Sequence, residues 1–158
     1  MNIREGSIRE AAVKQLLVDH HQSMFAFSPP ESVHALSEDE FFDPALTLWC
    51  AWEDGALMGC GALKRLDSIH GEIKSMRTAD EFRRRGVAAG ILTHIIETAE
   101  QEGYRRLSLE TGSHEFFSAA RALYQRFGFA SCEPFGTYVE DPHSVFMSIE
   151  ISSNESGR

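Results

Sequence analysis

Glu72-Ile73-Lys74-Ser75-Met76-Arg77-Thr78-Ala79-Asp80-Glu81-Phe82-Arg83-Arg84-Arg85-Gly86-Val87-Ala88-Ala89-Gly90 is the stretch on which the fold turns. Its first residues, Glu72 to Thr78, alternate in character as a strand does, and Ala79 to Phe82 form a loop. Three arginines and a glycine then stand just before a helical pattern that starts at Ala89. A helix N-terminus offers unpaired backbone N–H groups and about half a positive charge. A residue without a β-carbon there lets a phosphate approach the backbone itself, so the stretch reads as an anion cradle.

Downstream, Ala88, Ile91, Leu92, Ile95, Ile96 and Ala99 fall on one side of a helix and Glu97, Glu100, Gln101 and Glu102 on the other, with Gly103 as its stop. Arg106 to Thr111 alternates as a strand, and the intervening helix predicts that it lies parallel to the Glu72 strand. Phe116, Phe117, Ala120, Leu123, Tyr124 and Phe127 recur at helical spacing before Gly128. Phe129 to Cys132 and Ser144 to Ile151 are the last strand candidates. Upstream, Leu46 to Glu53 and Ala56 to Leu66 are β-rich runs joined by Asp54-Gly55, a tight-hairpin signal, so a three-strand meander precedes the arginine loop. Met1 to Glu5 reads as a short strand, and the helix after it, from Ile8, is predicted to end near His20 and His21. Phe25 to Glu40 reads as a loop with a short helix, and Ser37 with Glu40 has the form of a capping box. The pattern predicts one α/β domain over residues 1–151 and a polar tail over 152–158, with no internal repeat or linker.

At 158 residues, 42% hydrophobic and 25% charged, the chain has the composition of a globular domain rather than a disordered one. A formal net charge of −9 argues against a nucleic-acid or acidic-membrane binder, so a polyanionic partner has to meet a local basic site such as the arginine triplet. Cys50, Cys60 and Cys132 are odd in number and widely spaced, without the close pairs of zinc or redox motifs, which fits a reduced, cytoplasmic setting. No apolar run approaches the ~20 residues of a membrane span.

Two signatures carry a family resemblance. Arg83, Gly86 and Ala88 fill a pattern of Gln or Arg, two residues, Gly, one residue, Gly or Ala, between a strand and a helix. Ala120, Leu123, Tyr124, Gly128 and Phe129 fill a second pattern at the matching separation. The chain therefore resembles the GNAT superfamily of acetyl-CoA-dependent N-acetyltransferases over almost its whole length. A narrower resemblance, to a bacterial small-molecule subgroup, rests on Ser28 to Leu36, Glu72 to Thr78, Leu107 to Gly112 and Asp141, Pro142, Ser144, Phe146 and Met147. The implied fold is α/β (α+β): a mixed central sheet of six to seven strands, an antiparallel N-terminal meander, two parallel strands in the centre and about four flanking helices.

The resemblance also implies a site. Backbone N–H groups from Arg84 to Ala89 would take the pyrophosphate of acetyl-CoA, with Arg83, Arg84, Arg85, Gly86, Val87 and Ala88 around it, and Met76, Arg77 and Thr78 would border the pantetheine arm. Many members carry Asn where this chain has Phe117, so Ser113 or Ser118 is expected to supply that contact. Tyr124 holds the family's position for the acid that protonates the leaving thiolate. An acceptor amine with a pKa of about 10.4 needs a base. Glu72 and Glu110 are the candidates, Glu72 preferred, against structural readings of each as a strand carboxylate and of Tyr124 as a core residue. His34, Tyr138 and Ser144 are the polar candidates for the acceptor pocket. No metal site is expected: His20 and His21 are neighbours that diverge on a helix. Gly59 and Gly61 lie inside a strand and open no helix, so they read as points of close approach to the sheet.

The resulting expectation is acetyl transfer from acetyl-CoA to the primary amine of a small metabolite, by direct attack in a ternary complex, and a homodimer is compatible with it. Two other readings compete: a protein N-terminal or lysine acetyltransferase, and an acyl-CoA-binding regulatory module without turnover.

Overall fold

A computed structural model describes residues 1–152 and builds them around one seven-stranded sheet, in the order β1-β2-β3-β4-β5-β7-β6. The strands are β1 (Asn2–Glu5), β2 (Leu46–Glu53), β3 (Ala56–Arg65), β4 (His70–Thr78), β5 (Arg106–Gly112), β6 (Ala130–Ser131) and β7 (Ser144–Glu150). Asp54 and Gly55, with φ of 50° and 78°, make the reversal between β2 and β3; this hairpin turn needs the left-handed region at both positions. Every neighbouring pair is antiparallel except β4 and β5, whose parallel pairing follows from the helical crossover between them.

Three α-helices, α1 (Ala11–Phe27), α2 (Val87–Gln101) and α3 (Ser118–Arg126), and four short 3-10 turns complete the described residues. α1 runs well past the predicted end at His20–His21, because nothing before Ser28 breaks it. Ser28 itself is extended at φ −143° and ψ 146°, as steric conflict with the following Pro29 requires. α2 begins at Val87 rather than Ala89. Only half of the Ser37–Glu40 box forms: the Glu40 carboxylate accepts from the Ser37 backbone N–H at 2.9 Å and from its hydroxyl at 3.0 Å, while the Glu40 N–H donates to the Ser37 carbonyl rather than to its side chain. Of the predicted polar tail, residues 153–158 lie outside the described residues.

The sheet separates two apolar layers. On one face, Val87, Ile91, Leu92 and Ile95 of α2 pack on Leu63, Ile73, Leu107 and Leu109, joined by Leu123 and Tyr124 of α3. On the other, Val13, Leu16 and Leu17 of α1 cover Leu48, Cys50, Cys60 and Ala62. Gly59 and Gly61 lie directly under α2. A Cβ at Gly59 would come 2.9 Å from Val87, and one at Gly61 would come 2.8 Å from Ile91. Their small size sets the helix-to-sheet distance.

β4 carries the one irregularity that matters most. Cys60 pairs with Arg77 and Ala62 with Lys74, so Ser75 and Met76 together stand opposite Gly61, an extra residue in β4. Ser75 takes φ 56°, and its carbonyl accepts a hydrogen bond from the Cys60 thiol at 3.3 Å. The bulge inverts the alternation of the strand. Glu72 and Lys74 face the α1 layer, whereas Met76 packs with the α2 layer.

Candidate active site

β4 and β5 are paired only from His70–Arg106 to Ile73–Leu109. Beyond Ile73, β4 stays with β3 as far as Thr78, and β5 stays with β7 as far as Gly112. The two central strands therefore part at the bulge, and the β4 edge beyond it, including Met76 and Thr78, has no strand partner on that side. A cleft partly open to solvent, lined by Glu72 to Met76 on one side and Glu110 and Thr111 on the other, occupies the gap.

The chain leaves β4 through the 3-10 turn Asp80–Phe82 and enters α2 by way of Arg83 to Gly86. Arg84 and Gly86 both have left-handed backbone, at φ 64° and 77°. Gly86 is the helix cap, no side chain caps the helix, and the first helical bond runs from Gly90 N–H to the Gly86 carbonyl. The N–H groups of Val87, Ala88 and Ala89 are thus the uncompensated start of the helix. A Cβ built on Gly86 would meet no atom within 4 Å, so the space in front of this turn is open. Around it, Arg83 pairs with Asp80 at 2.8 Å, Arg85 lies over the Phe82 ring at 5.4 Å, and Arg84 and Arg85 are exposed. These features suit a pyrophosphate: unpaired donors, a helix dipole and flanking cations. Arg77 differs from the rest of the expected set. Its guanidinium is turned towards α1, where it donates to Ser23 Oγ at 3.0 Å, with Asp80 at 3.8 Å.

The α1 side of the cleft holds a buried polar cluster. Glu72 Oε2 accepts from Lys74 Nζ at 3.1 Å and from the Tyr138 hydroxyl at 2.5 Å, and Lys74 Nζ also donates to Tyr138 Oη at 2.9 Å and to the His34 carbonyl at 3.3 Å. The His34 ring stands edge-on to Tyr138 at 4.9 Å. Glu72 thus has its partner two residues on along the same strand rather than across it. The loops on either side are pinned to that strand and to each other, Ser32 Oγ meeting Asp141 Oδ2 at 2.6 Å. Burial and the nearby Glu72 carboxylate push the Tyr138 phenol far above its usual pKa, burial being the larger cause.

Glu110 lies on β5 across the cleft from this cluster, and burial raises its pKa to about 7, against the opposing pull of the Ser144 hydroxyl and Lys74. Ser144 Oγ is buried and makes no hydrogen bond of good geometry. Tyr124 enters from α3, on the opposite face. It is 6% exposed, its ring packs on Phe129 at 5.7 Å, and burial alone holds its phenol protonated well beyond the ordinary range. Its side chain lines the cleft. Phe117, in the place of the family's usual Asn, packs on Gly112, where a Cβ would come 2.2 Å from the ring. Ser113 is engaged with the Pro142 carbonyl at 2.8 Å, which leaves Ser118, exposed at the first position of α3, as the free hydroxyl.

The cleft thus gathers Glu72, Met76, Glu110, Tyr124 and His34, while Arg83 to Ala89 stand at the helix start beyond it. Two residues escaped the sequence reading. Lys74 binds both loops, and only the strand alternation that puts it on the face of Glu72 hints at this. His20 lines the cleft because α1 continues past it; burial, with Arg77 and His21 adding to it, lowers its pKa to about 4 and keeps the ring neutral. Among the described residues no group of His, Cys, Asp and Glu could hold a metal, and no helix is long and apolar enough to cross a membrane.

Comparison with known proteins agrees with this geometry. Residues 12–129 match the acetyltransferase (GNAT) family. The chain is 54% identical over 151 residues to the uncharacterized N-acetyltransferase YsnE of Bacillus subtilis, covering 96% of this chain and all of that one. It is 32% identical over 145 residues to the IAA acetyltransferase of Azospirillum brasilense, covering 91% and 93% of the two chains. A solved structure of a putative acyl-CoA N-acyltransferase from Klebsiella pneumoniae superposes with a TM-score of 0.74 at 26% identity, covering 94% of this chain and 96% of that one. The chain belongs to the GNAT family and is an acetyltransferase.

Proposed function

We propose that this GNAT-family acetyltransferase moves the acetyl group of acetyl-CoA to the primary amine of a small metabolite, with both substrates bound together. The observation that carries the reading is an opening between β4 and β5 with a partly buried carboxyl, Glu110, at one side and a buried phenol, Tyr124, at the other. Acetyl-CoA supplies an activated acyl group on a thiol that can leave.

In this reading the N–H groups from Arg84 to Ala89 hold the pyrophosphate, with the side chains of Arg83, Arg84 and Arg85 around it and Ser118 at the neighbouring helix start. The free β4 edge at Met76 and Thr78 pairs with the pantetheine arm as an added strand would. Arg77 buttresses β4 against α1. Glu110 is the base: a carboxylate that titrates near neutrality takes an amine proton better than one spent on an ion pair, as Glu72 is. Tyr124, protonated throughout the working range, returns a proton to the leaving thiolate. His34, Tyr138 and Ser144 wall the acceptor side.

A small acceptor is favoured over a protein because the two loops that would border a peptide groove are tied together across Glu72 by Ser32, Asp141, Lys74 and Tyr138. Thiol release from acetyl-CoA distinguishes the readings. Release that depends on small amines supports this one, and release only with peptides favours a protein acetyltransferase. No release with either, where acetyl-CoA still raises the Tm, favours a non-catalytic binding module.

A further inference from the structure

The acceptor side of the cleft has an unusual charge inventory. Lys74 is its only ammonium among the described lining residues, and an ammonium has three N–H donors. All three are taken, by the His34 carbonyl, Glu72 Oε2 and the Tyr138 hydroxyl, and its charge is matched by Glu72. The Arg77 guanidinium lies outside the cleft lining and is turned to Ser23 and Asp80, its Nε buried without a partner among the described residues. His20 is uncharged at neutral pH. Against this stands Glu110, which has no ion-pair partner among the described residues and feels only the Ser144 hydroxyl and the more distant Lys74 charge. Two further carboxylates lie behind the wall: Asp141, bound to Ser32, and Glu40, bound to Ser37. Met24, Leu36, Phe117 and Ala120 supply apolar surface between them.

We propose, resting on the amine acetyltransferase reading above, that the acceptor is a primary amine on an apolar carbon body with no carboxylate on the carbon that bears the amine. Its ammonium meets Glu110, to which it passes a proton. A carboxylate one carbon away would leave water facing Glu72 and Glu110, with no uncommitted cation among the described lining residues to receive it. The Lys74–Glu72–Tyr138 triangle is then a specificity element as well as a tie between loops, because it withdraws from the cleft the one ammonium among the described lining residues that could select amino acids.

The test is calorimetric binding to the CoA-saturated protein of three probes on one carbon skeleton: phenethylamine, phenylalanine and phenylalanine amide. Phenethylamine and the amide are expected to bind at least about 30-fold more tightly than phenylalanine, the size of penalty an unpaired buried charge carries. Glu72→Gln leaves Lys74 without its counter-charge, and should improve phenylalanine binding and narrow the ratio at least about fivefold. Phenylalanine binding as tightly as phenethylamine overturns the proposal, and so does an amide as weak as phenylalanine, which would make bulk rather than charge the cause. Binding of none of the three to a protein that CoA stabilises overturns it too. A protein that neither CoA nor acetyl-CoA stabilises overturns instead the reading on which it rests.

Discussion

The hydroxyl of Tyr138 lies 2.5 Å from Oε2 of Glu72, a residue 66 positions earlier in the chain, and Lys74 closes the triangle with both. The side chains of Glu72 and Lys74 are only 6% and 11% exposed. Removing one charge of such a pair leaves the other buried and unmatched. Lys74→Met is therefore expected to lower unfolding free energy by about 3–5 kcal/mol, and Glu72→Gln combined with Lys74→Met to recover most of that loss. Urea denaturation of the two single variants and the double one decides it; additive losses would show that the triangle is not a unit.

Glu110 accepts a proton only when ionised, and it titrates at about 7. With Glu110 as the base, kcat/KM should rise with pH through about 7 before acceptor ionisation enters. Glu110→Gln should lower kcat/KM by at least about 100-fold and abolish that rise. A pH profile of the variant that keeps the wild-type inflection would assign the inflection to another group.

Stability should respond to pH through two partly buried groups of opposite sign. The folded pKa of Glu110 is raised from 4.5 to about 7, so the folded state binds more protons than the unfolded one between those values and loses stability as pH rises through them. His20 is lowered from 6.5 to about 4, so stability is lost as pH falls from 6.5 to 4. Each amounts to roughly 3 kcal/mol at most. From about pH 4.5 to 6.5 the two nearly cancel, and wild-type stability with respect to these groups should be flat. Glu110→Gln should expose the His20 slope, becoming more stable as pH rises, whereas His20→Leu should expose the opposite one. Denaturation midpoints at pH 4.5, 5.5, 6.5 and 7.5 test both signs.

Gly86→Ala separates backbone strain from ligand access. At φ 77° an alanine costs about 1–2 kcal/mol, and since no atom lies within 4 Å of the added Cβ there is no clash to add to it. If the turn cradles the pyrophosphate, the same methyl group should raise KM for acetyl-CoA about tenfold or more with little change in kcat. An unchanged KM would place the phosphates elsewhere.

The sequence made the scaffold legible because its signals were local. The Asp54-Gly55 turn, the alternation of β5, and the apolar stripe of α2 each bring a short-range rule that the structure obeys, and the parallel pairing of β4 with β5 follows from the helix between them. The arginine loop was legible for the same reason. The acceptor side was not, because its contacts join residues far apart in the chain. Lys74 meets Tyr138 across 64 positions and Ser32 meets Asp141 across 109, and no periodicity encodes such pairs. His20 came to light only through the length of α1, which Pro29 rather than any composition shift ends. The change of emphasis from Glu72 to Glu110 has the same origin, since the Lys74 contact that occupies Glu72 depends on which face each side chain takes.

The bulge at Ser75 makes the cleft a matter of chain length. One surplus residue lets β4 run out of step with β5 and reverses which layer each later side chain joins. A deletion of Ser75 would restore plain alternation, with Met76 opposite Gly61 on the α2 layer and Arg77 opposite Cys60 on the α1 layer, and bring β4 back into phase to continue its ladder with β5. Such a protein is expected to keep its circular dichroism spectrum yet lose stabilisation by acetyl-CoA; retained stabilisation would show that the opening does not depend on the surplus. In that sense the step from a closed sheet to a binding one is a single codon, which makes this position far less tolerant of a change in length than of a change in side chain.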